Sequence, residues 1–226
     1  MRLAMELTIA DINFVHVLQE SDYSSIFQVT VQDKLYVLKV YHTLERSPAD
    51  PTHREIQPFI CESTAYARLK QHGLCQLGVV PDFHGVIKQI EPRSCQPFLD
   101  RFLKDKSLPN AILIEYIPDM EKITFSNFSI SRAIKFRTIL ESIHKAGVYH
   151  GDLWPRNLMV QSRTERVIWI DFDRAQTFPE NQTISERQAE WLRDEKELLD
   201  ELLDELEQDW KDGKLSRAWP WYYVYG

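Results

Sequence analysis

The spacing of apolar residues changes along this chain, and that change limits the folds open to it. Within residues 12–41, Phe27, Val29 and Val31 alternate with polar neighbours, between the apolar runs Ile12–Leu18 and Leu35–Tyr41. This pattern predicts a meander of three antiparallel strands. From residue 129 the spacing lengthens to three and four. Ile130, Ile134, Ile139, Leu140 and Ile143 are assigned to one face of a helix over Ser129–Lys145, stopped by Gly147. Leu192, Leu199, Leu203, Leu206 and Trp210 mark a second helix over residues 185–212, which Ser185 and Gln188 open as a capping box. A β-rich first half and a helical second half predict an α+β fold with two unlike lobes. The boundary is set at Pro118, giving residues 1–117 and 118–226.

Pro58 is expected to open a further helix carrying Glu62, Tyr66 and Leu69 at i, i+4 and i+7, with Gly73 as its stop. Val79-Val80 and Gly85–Ile87 suggest a strand. Residues 91–109, with three prolines, read as an inserted loop with a helical turn near Phe98–Leu103. Ala111–Ile117 reads as a buried strand, and Leu158–Val160 and Val167–Ile170 as two short ones.

Charge narrows the partners. The formal net charge is −7, yet residues 186–212 alone carry −8, so the acidity belongs to one helix. No cluster of Lys and Arg offers a phosphate-backbone footprint, which argues against nucleic acid. No apolar run reaches the 18 residues of a membrane span, and the first fourteen residues lack a leader-like apolar core. Cys61, Cys75 and Cys95 have no metal-finger spacing and read as reduced thiols. A cytoplasmic or nuclear location is expected.

The chemistry concentrates in His150-Gly151-Asp152-Leu153-Trp154-Pro155-Arg156-Asn157, directly after a helix, and in Asp171-Phe172-Asp173 at the end of an apolar strand. A carboxylate that orients a hydroxyl and accepts its proton, with oxygen ligands for Mg²⁺, is what transfer of a γ-phosphoryl group requires. Asp152 and Asn157, five residues apart, can face one site from a single loop. Asp171 adds a carboxylate from a neighbouring strand end. The alternative is a loop whose Asp and Asn merely cap turns. His150 is read as a structural brace of the loop.

This pattern resembles the protein-kinase-like superfamily. It is most similar to aminoglycoside- and choline-type phosphotransferases, whose loop commonly begins His-Gly-Asp, and to short kinase-like proteins of filamentous fungi. The resemblance covers about residues 12–175 and implies a two-lobed fold with a nucleotide-binding N-lobe and a reduced helical C-lobe. It implies ATP and Mg²⁺ as cofactors, Asp152 as catalytic base, Asn157 and Asp171 as metal ligands, and Lys39 on the α/β-phosphates paired with Glu62. The residues agree on physical grounds. Val37 and Lys39 share a strand face, and a buried lysine needs a counter-ion. Glu62 is preferred over Glu55, which Pro58 separates from the helix. Val37 and Ile26 are expected against the adenine, and Glu115–Ile117 at its edge through backbone groups.

The sequence also departs from the superfamily. The turn Ser21-Asp22-Tyr23-Ser24-Ser25 lacks the glycines that let backbone N–H groups close over phosphates, so Ser24 and Ser25 are the expected substitutes. Trp154 stands where many protein kinases carry a lysine, Asp173 replaces a glycine, and no Ala-Pro-Glu follows. These features favour transfer to an unidentified small-molecule hydroxyl. A compact atypical protein kinase and an inactive binding module are the alternatives. The aromatic run Trp219–Tyr225 is expected to pack on the C-terminal half, with a protein-partner surface as the alternative.

Overall fold

The computed structural model describes residues 7–224. The first six residues and Tyr225, the last of the aromatic run, lie outside the described residues. Strands β1 (Asn13–Glu20), β2 (Ser24–Val31) and β3 (Lys34–Tyr41) form the expected meander. Helix α1 (Pro58–Gln71), β4 (Phe83–Ile87) and β5 (Asn110–Glu115) follow. The five strands make one antiparallel sheet in the order β1-β2-β3-β5-β4. The remainder holds β6 (Met120–Lys122), α2 (Ile130–Lys145), β7 (Val148–Tyr149), β8 (Leu158–Gln161), β9 (Arg166–Trp169), β10 (Gln176–Thr177), α3 (Glu186–Asp212) and α4 (Trp219–Tyr223). Small sheets β6-β8-β9 and β7-β10 carry the loops between these helices. The fold class is the expected one: α+β, with the sheet in the first half and the long helices in the second.

The sheet buries both faces, which explains why its central strands read as nearly continuous apolar runs. Period-2 alternation sends Phe27, Val29, Leu38, Val40, Ala111 and Leu113 to the outer face, where Ile90, Cys95, Leu99 and Phe102 cover them. Residues 91–109 are therefore a lid of the core as well as an inserted loop. The expected turn lies at Asp100–Phe102, and Phe98 stacks on Phe14 with ring centroids 4.7 Å apart. The inner face meets α1, whose Ala65, Tyr66 and Leu69 join one apolar cluster with α2, α3 and the small strands.

Three expectations need correction. Val79-Val80 forms no strand; the Val79 carbonyl instead accepts from the Trp169 N–H at 2.9 Å, tying this segment to β9. On α2, Ile130 and Ile134 are 44% and 57% exposed, and Ala133, Phe136, Ile139, Leu140 and Ile143 are buried. At about 100° per residue, Ile134 and Ile143 lie on opposite sides of a helix, so they cannot share a face. On α3, Trp210 is 44% exposed at the edge of the core, against Phe128, and Leu202 takes the place it was given on the buried stripe. The Ser185–Gln188 capping box forms, and Trp221 of the aromatic run is buried in the main core.

Candidate active site

The loop after α2 is held from below by a residue that lies 43 positions beyond its Asp152 in sequence. Glu195, buried on α3, accepts the backbone N–H of His150 at 3.1 Å and of Gly151 at 2.7 Å, and contacts His144 Nε2 at 2.8 Å. Gly151 adopts φ +79, and a Cβ there would sit 2.7 Å from the Arg174 carbonyl oxygen. Only glycine lets these two backbone segments approach so closely. His150 then ties the loop to the segment that runs from β9 to Asp171. Its Nδ1 accepts from the Asp152 N–H at 3.2 Å, which leaves Nε2 as donor to the Ile170 carbonyl at 3.0 Å. The Ile170 N–H donates in turn to the Asn157 carbonyl at 3.1 Å.

Asp152 and Asn157 are both buried. The Asn157 amide donates from Nδ2 to the Asp152 carbonyl and to its Oδ2, each at 2.8 Å, so Oδ1 is the face left to accept or to ligate. Arg156 donates to the Asp152 carboxylate at 2.8 Å, and Arg174 Nε stands 3.9 Å from it. Asp171 has φ +66, a left-handed conformation that aspartate tolerates better than most residues and that concentrates at functional sites.

Across the cleft, Lys39 Nζ lies 2.7 Å from Glu62, 2.5 Å from Asp171 and 3.3 Å from Asp173. Glu62 is thus its counter-ion on α1; Glu55 instead accepts the N–H groups of Ile56 and Gln57. Glu62 also accepts from the Tyr41 hydroxyl at 2.7 Å and the Phe172 N–H at 3.2 Å. Burial alone would lower the Lys39 pKa, but the three carboxylates hold it well above its ordinary value. Burial pushes Glu62 up to about 7 against the pull of Lys39. Asp171 is half-buried, which would raise its pKa, but Lys39 keeps it below the usual range, whereas burial raises Asp173. One ammonium facing three carboxylates, with ligand oxygens within 4.8 Å of one another, leaves an uncompensated negative charge. A divalent cation suits that donor set, and Asn157 lines the same cleft.

The stack behind these groups is aromatic. His150, Phe172, Tyr66 and Phe83 succeed one another at centroid distances of 4.7, 5.3 and 5.9 Å, linking the loop through α1 to β4. Tyr66 of this stack lines a cleft of about 420 Å³ with Ser24, Ile26, Val37, Lys39, Glu62, Glu115, Asp152, Asn157 and Asp171, among others. That volume lies within the range of small-ligand sites.

Two expected cleft residues lie elsewhere. Ser25 shares the outer sheet face with Phe27 and Val29 and is fully buried, its hydroxyl without a partner. Ile117 is buried and does not line the cleft. The turn differs as well. Ser21 Oγ accepts the N–H groups of Tyr23 and Ser24 at 3.2 and 3.0 Å, so Ser24 offers the cleft its hydroxyl and not its amide. At the far end, the Glu115 N–H donates to the Asp82 carbonyl at 2.8 Å and is not open to a ligand. The Glu115 carboxylate makes a two-point pair with Arg166 at 2.7 and 2.8 Å. Sequence reasoning missed Glu195. Its signal was a carboxylate four residues before Leu199, on the apolar stripe.

Residues 135–212, about a third of the chain, match the model of the lipopolysaccharide kinase (Kdo/WaaP) family. Among solved structures, the chain is similar to the kinase PK-1 of Cydia pomonella granulovirus, at 12% identity and a TM-score of 0.48 over 78% of this chain. It spans 59% of that kinase's length. No curated protein matches the sequence.

Proposed function

We propose that this chain is an ATP-dependent phosphotransferase that moves the γ-phosphoryl group to a hydroxyl of a small molecule. The observation that carries the proposal is the convergence of Lys39, Asp152, Asn157 and Asp171 on one cleft. The family match to lipopolysaccharide kinases spans the loop that bears Asp152 and the strand end that bears Asp171, which adds independent support for kinase chemistry. In this reading residues 1–117 hold the nucleotide and residues 118–226 supply the catalytic loop.

Val37 and Ile26, on the same sheet face as Lys39, pack against the adenine, and Lys39 holds the α/β-phosphates, oriented by Glu62. Asp152 orients the acceptor hydroxyl and takes its proton as the new O–P bond forms. The bond from the γ-phosphorus to the bridging oxygen breaks, and ADP leaves with that oxygen. Asn157 and Asp171 would hold Mg²⁺, which supplies charge compensation on the phosphates. A small acceptor is favoured by a second cavity of about 450 Å³ that shares Tyr23, Asp173 and Arg174 with the cleft.

One observation favours a second reading, a binding module without turnover: two N–H groups of the 21–25 turn are already engaged by Ser21. A thermal melt separates the two. ATP with Mg²⁺ raises the melting temperature of an enzyme, and Asp152→Ala removes turnover while that shift persists. A melting temperature indifferent to every nucleotide would defeat the enzyme proposal.

A further inference from the structure

The cavity next to the cleft is lined by residues of segment 50–58 and by Gly151 and Arg174, on the side where an acceptor would approach Asp152. Its charged lining consists of Asp50, Arg54, Glu55, Asp173 and Arg174. Each carboxylate has a partner of its own. Asp50 accepts the Ser47 N–H at 2.6 Å, Glu55 accepts two backbone N–H groups at 2.9 Å, and Asp173 faces Lys39 at 3.3 Å. The guanidinium groups have only long contacts. Among the described residues, Arg54 makes no ion pair, and the one hydrogen bond of its guanidinium runs to the Arg174 carbonyl at 3.5 Å. Arg174 is 61% exposed, and its nearest carboxylate is Asp152 at 3.9 Å. Arg54 is nonetheless held in place, 5.3 Å from the Trp191 ring and 5.8 Å from the Tyr149 ring.

Two arginines with donors to spare, one of them stacked on aromatic rings, form a fork suited to a carboxylate or phosphate. We infer that this cavity is the acceptor site and that Arg54 and Arg174 bind an anionic group on the acceptor, presenting its hydroxyl to Asp152. The acceptor class is therefore a hydroxylated acid or a phosphorylated alcohol, not a neutral or cationic alcohol. The inference rests on the phosphotransferase reading for the transfer itself, but the anion site is testable without it.

The test is a titration followed by NMR of the arginine side-chain Nε–H signals, with Mg²⁺ and a non-hydrolysable ATP analogue present to fill the cleft. The probes are glucuronate against glucose, glycerol 3-phosphate against glycerol, and choline as the cationic control. Glucuronate or glycerol 3-phosphate should shift the Arg54 and Arg174 signals, and bind at least tenfold more tightly than its neutral partner. Arg54→Gln should erase that preference, and Arg54→Lys, which keeps the charge without the fork, should restore only part of it. Equal binding of charged and neutral members, or a preference for choline, overturns the inference. If the nucleotide analogue does not bind while the anionic probes still shift both arginines, the anion site stands and the phosphotransferase reading falls. If the analogue binds and no anionic probe touches either arginine, the reverse holds.

Discussion

Glu195 offers the sharpest test of how the 150–157 loop is held, because it reaches the loop only through backbone N–H groups and does not line the cleft. Glu195→Gln keeps the side-chain volume but replaces one accepting oxygen with an NH₂ group. Whichever way the amide turns, at least one of the His150 and Gly151 N–H groups then faces a donor, and the surviving bond loses its charge assistance. A buried donor left unmet costs about 1–3 kcal/mol, and a hydrogen bond to a charged group contributes roughly 1.5–3 kcal/mol. Together these put the loss near 2–4 kcal/mol. For a chain of this size each kcal/mol moves the melting temperature by about 2–4 °C, so the midpoint should fall by roughly 5–15 °C. Calorimetric melts of wild type and variant measure this directly. A fall under about 1 °C would show that Glu195 does not hold the loop, and the bracing role would have to be given up.

Gly151→Ala should also destabilise the fold: its Cβ would meet the Arg174 carbonyl at 2.7 Å in a left-handed backbone, costing about 1–3 kcal/mol, a drop that a melt would detect. Glu115 predicts a pH dependence. Its burial would raise the pKa, but hydrogen bonds from Arg166 and the Asp82 N–H outweigh it and hold the carboxyl below its ordinary value of 4.5. Its stabilisation is therefore present above pH about 4.5 and lost as pH falls through the folded-state value. Melting curves of wild type and Glu115→Gln should differ at pH 7, and the gap should begin to close near pH 4.5 and vanish only below the folded-state value; a gap that persists in stronger acid would contradict the assignment.

Much of this architecture is legible in the sequence because local rules act alone there. The meander strands declare themselves through period-2 alternation, and α1 opens where Pro58 can occupy a first turn without a missing hydrogen bond. The same alternation places Ser25: it has the parity of Phe27 and Val29, so it belongs to the covered face and not to the cleft. On α2, assigning a face by residue type and not by angle put Ile130 and Ile134 inside. Long-range partners are harder to read. Twelve acidic residues crowd residues 186–212, and only position marks Glu195 and Asp209 as the two that are buried, each on the stripe of Leu199, Leu202 and Leu206. Asp209 accepts three backbone N–H groups, from Ser216, Arg217 and Ala218, and so shapes the turn into α4. The three-residue strand β6 has too little length to show any period.

Isothermal titration with Mg²⁺ and a non-hydrolysable ATP analogue, run on wild type and Asp171→Asn, bears most directly on the claim that these carboxylates hold a metal-bound triphosphate. Wild type should bind in a metal-dependent manner, and Asp171→Asn should lose at least tenfold in affinity with Mg²⁺ while melting as a folded protein. Binding that ignores Asp171, or no binding by the wild type at all, would contradict it.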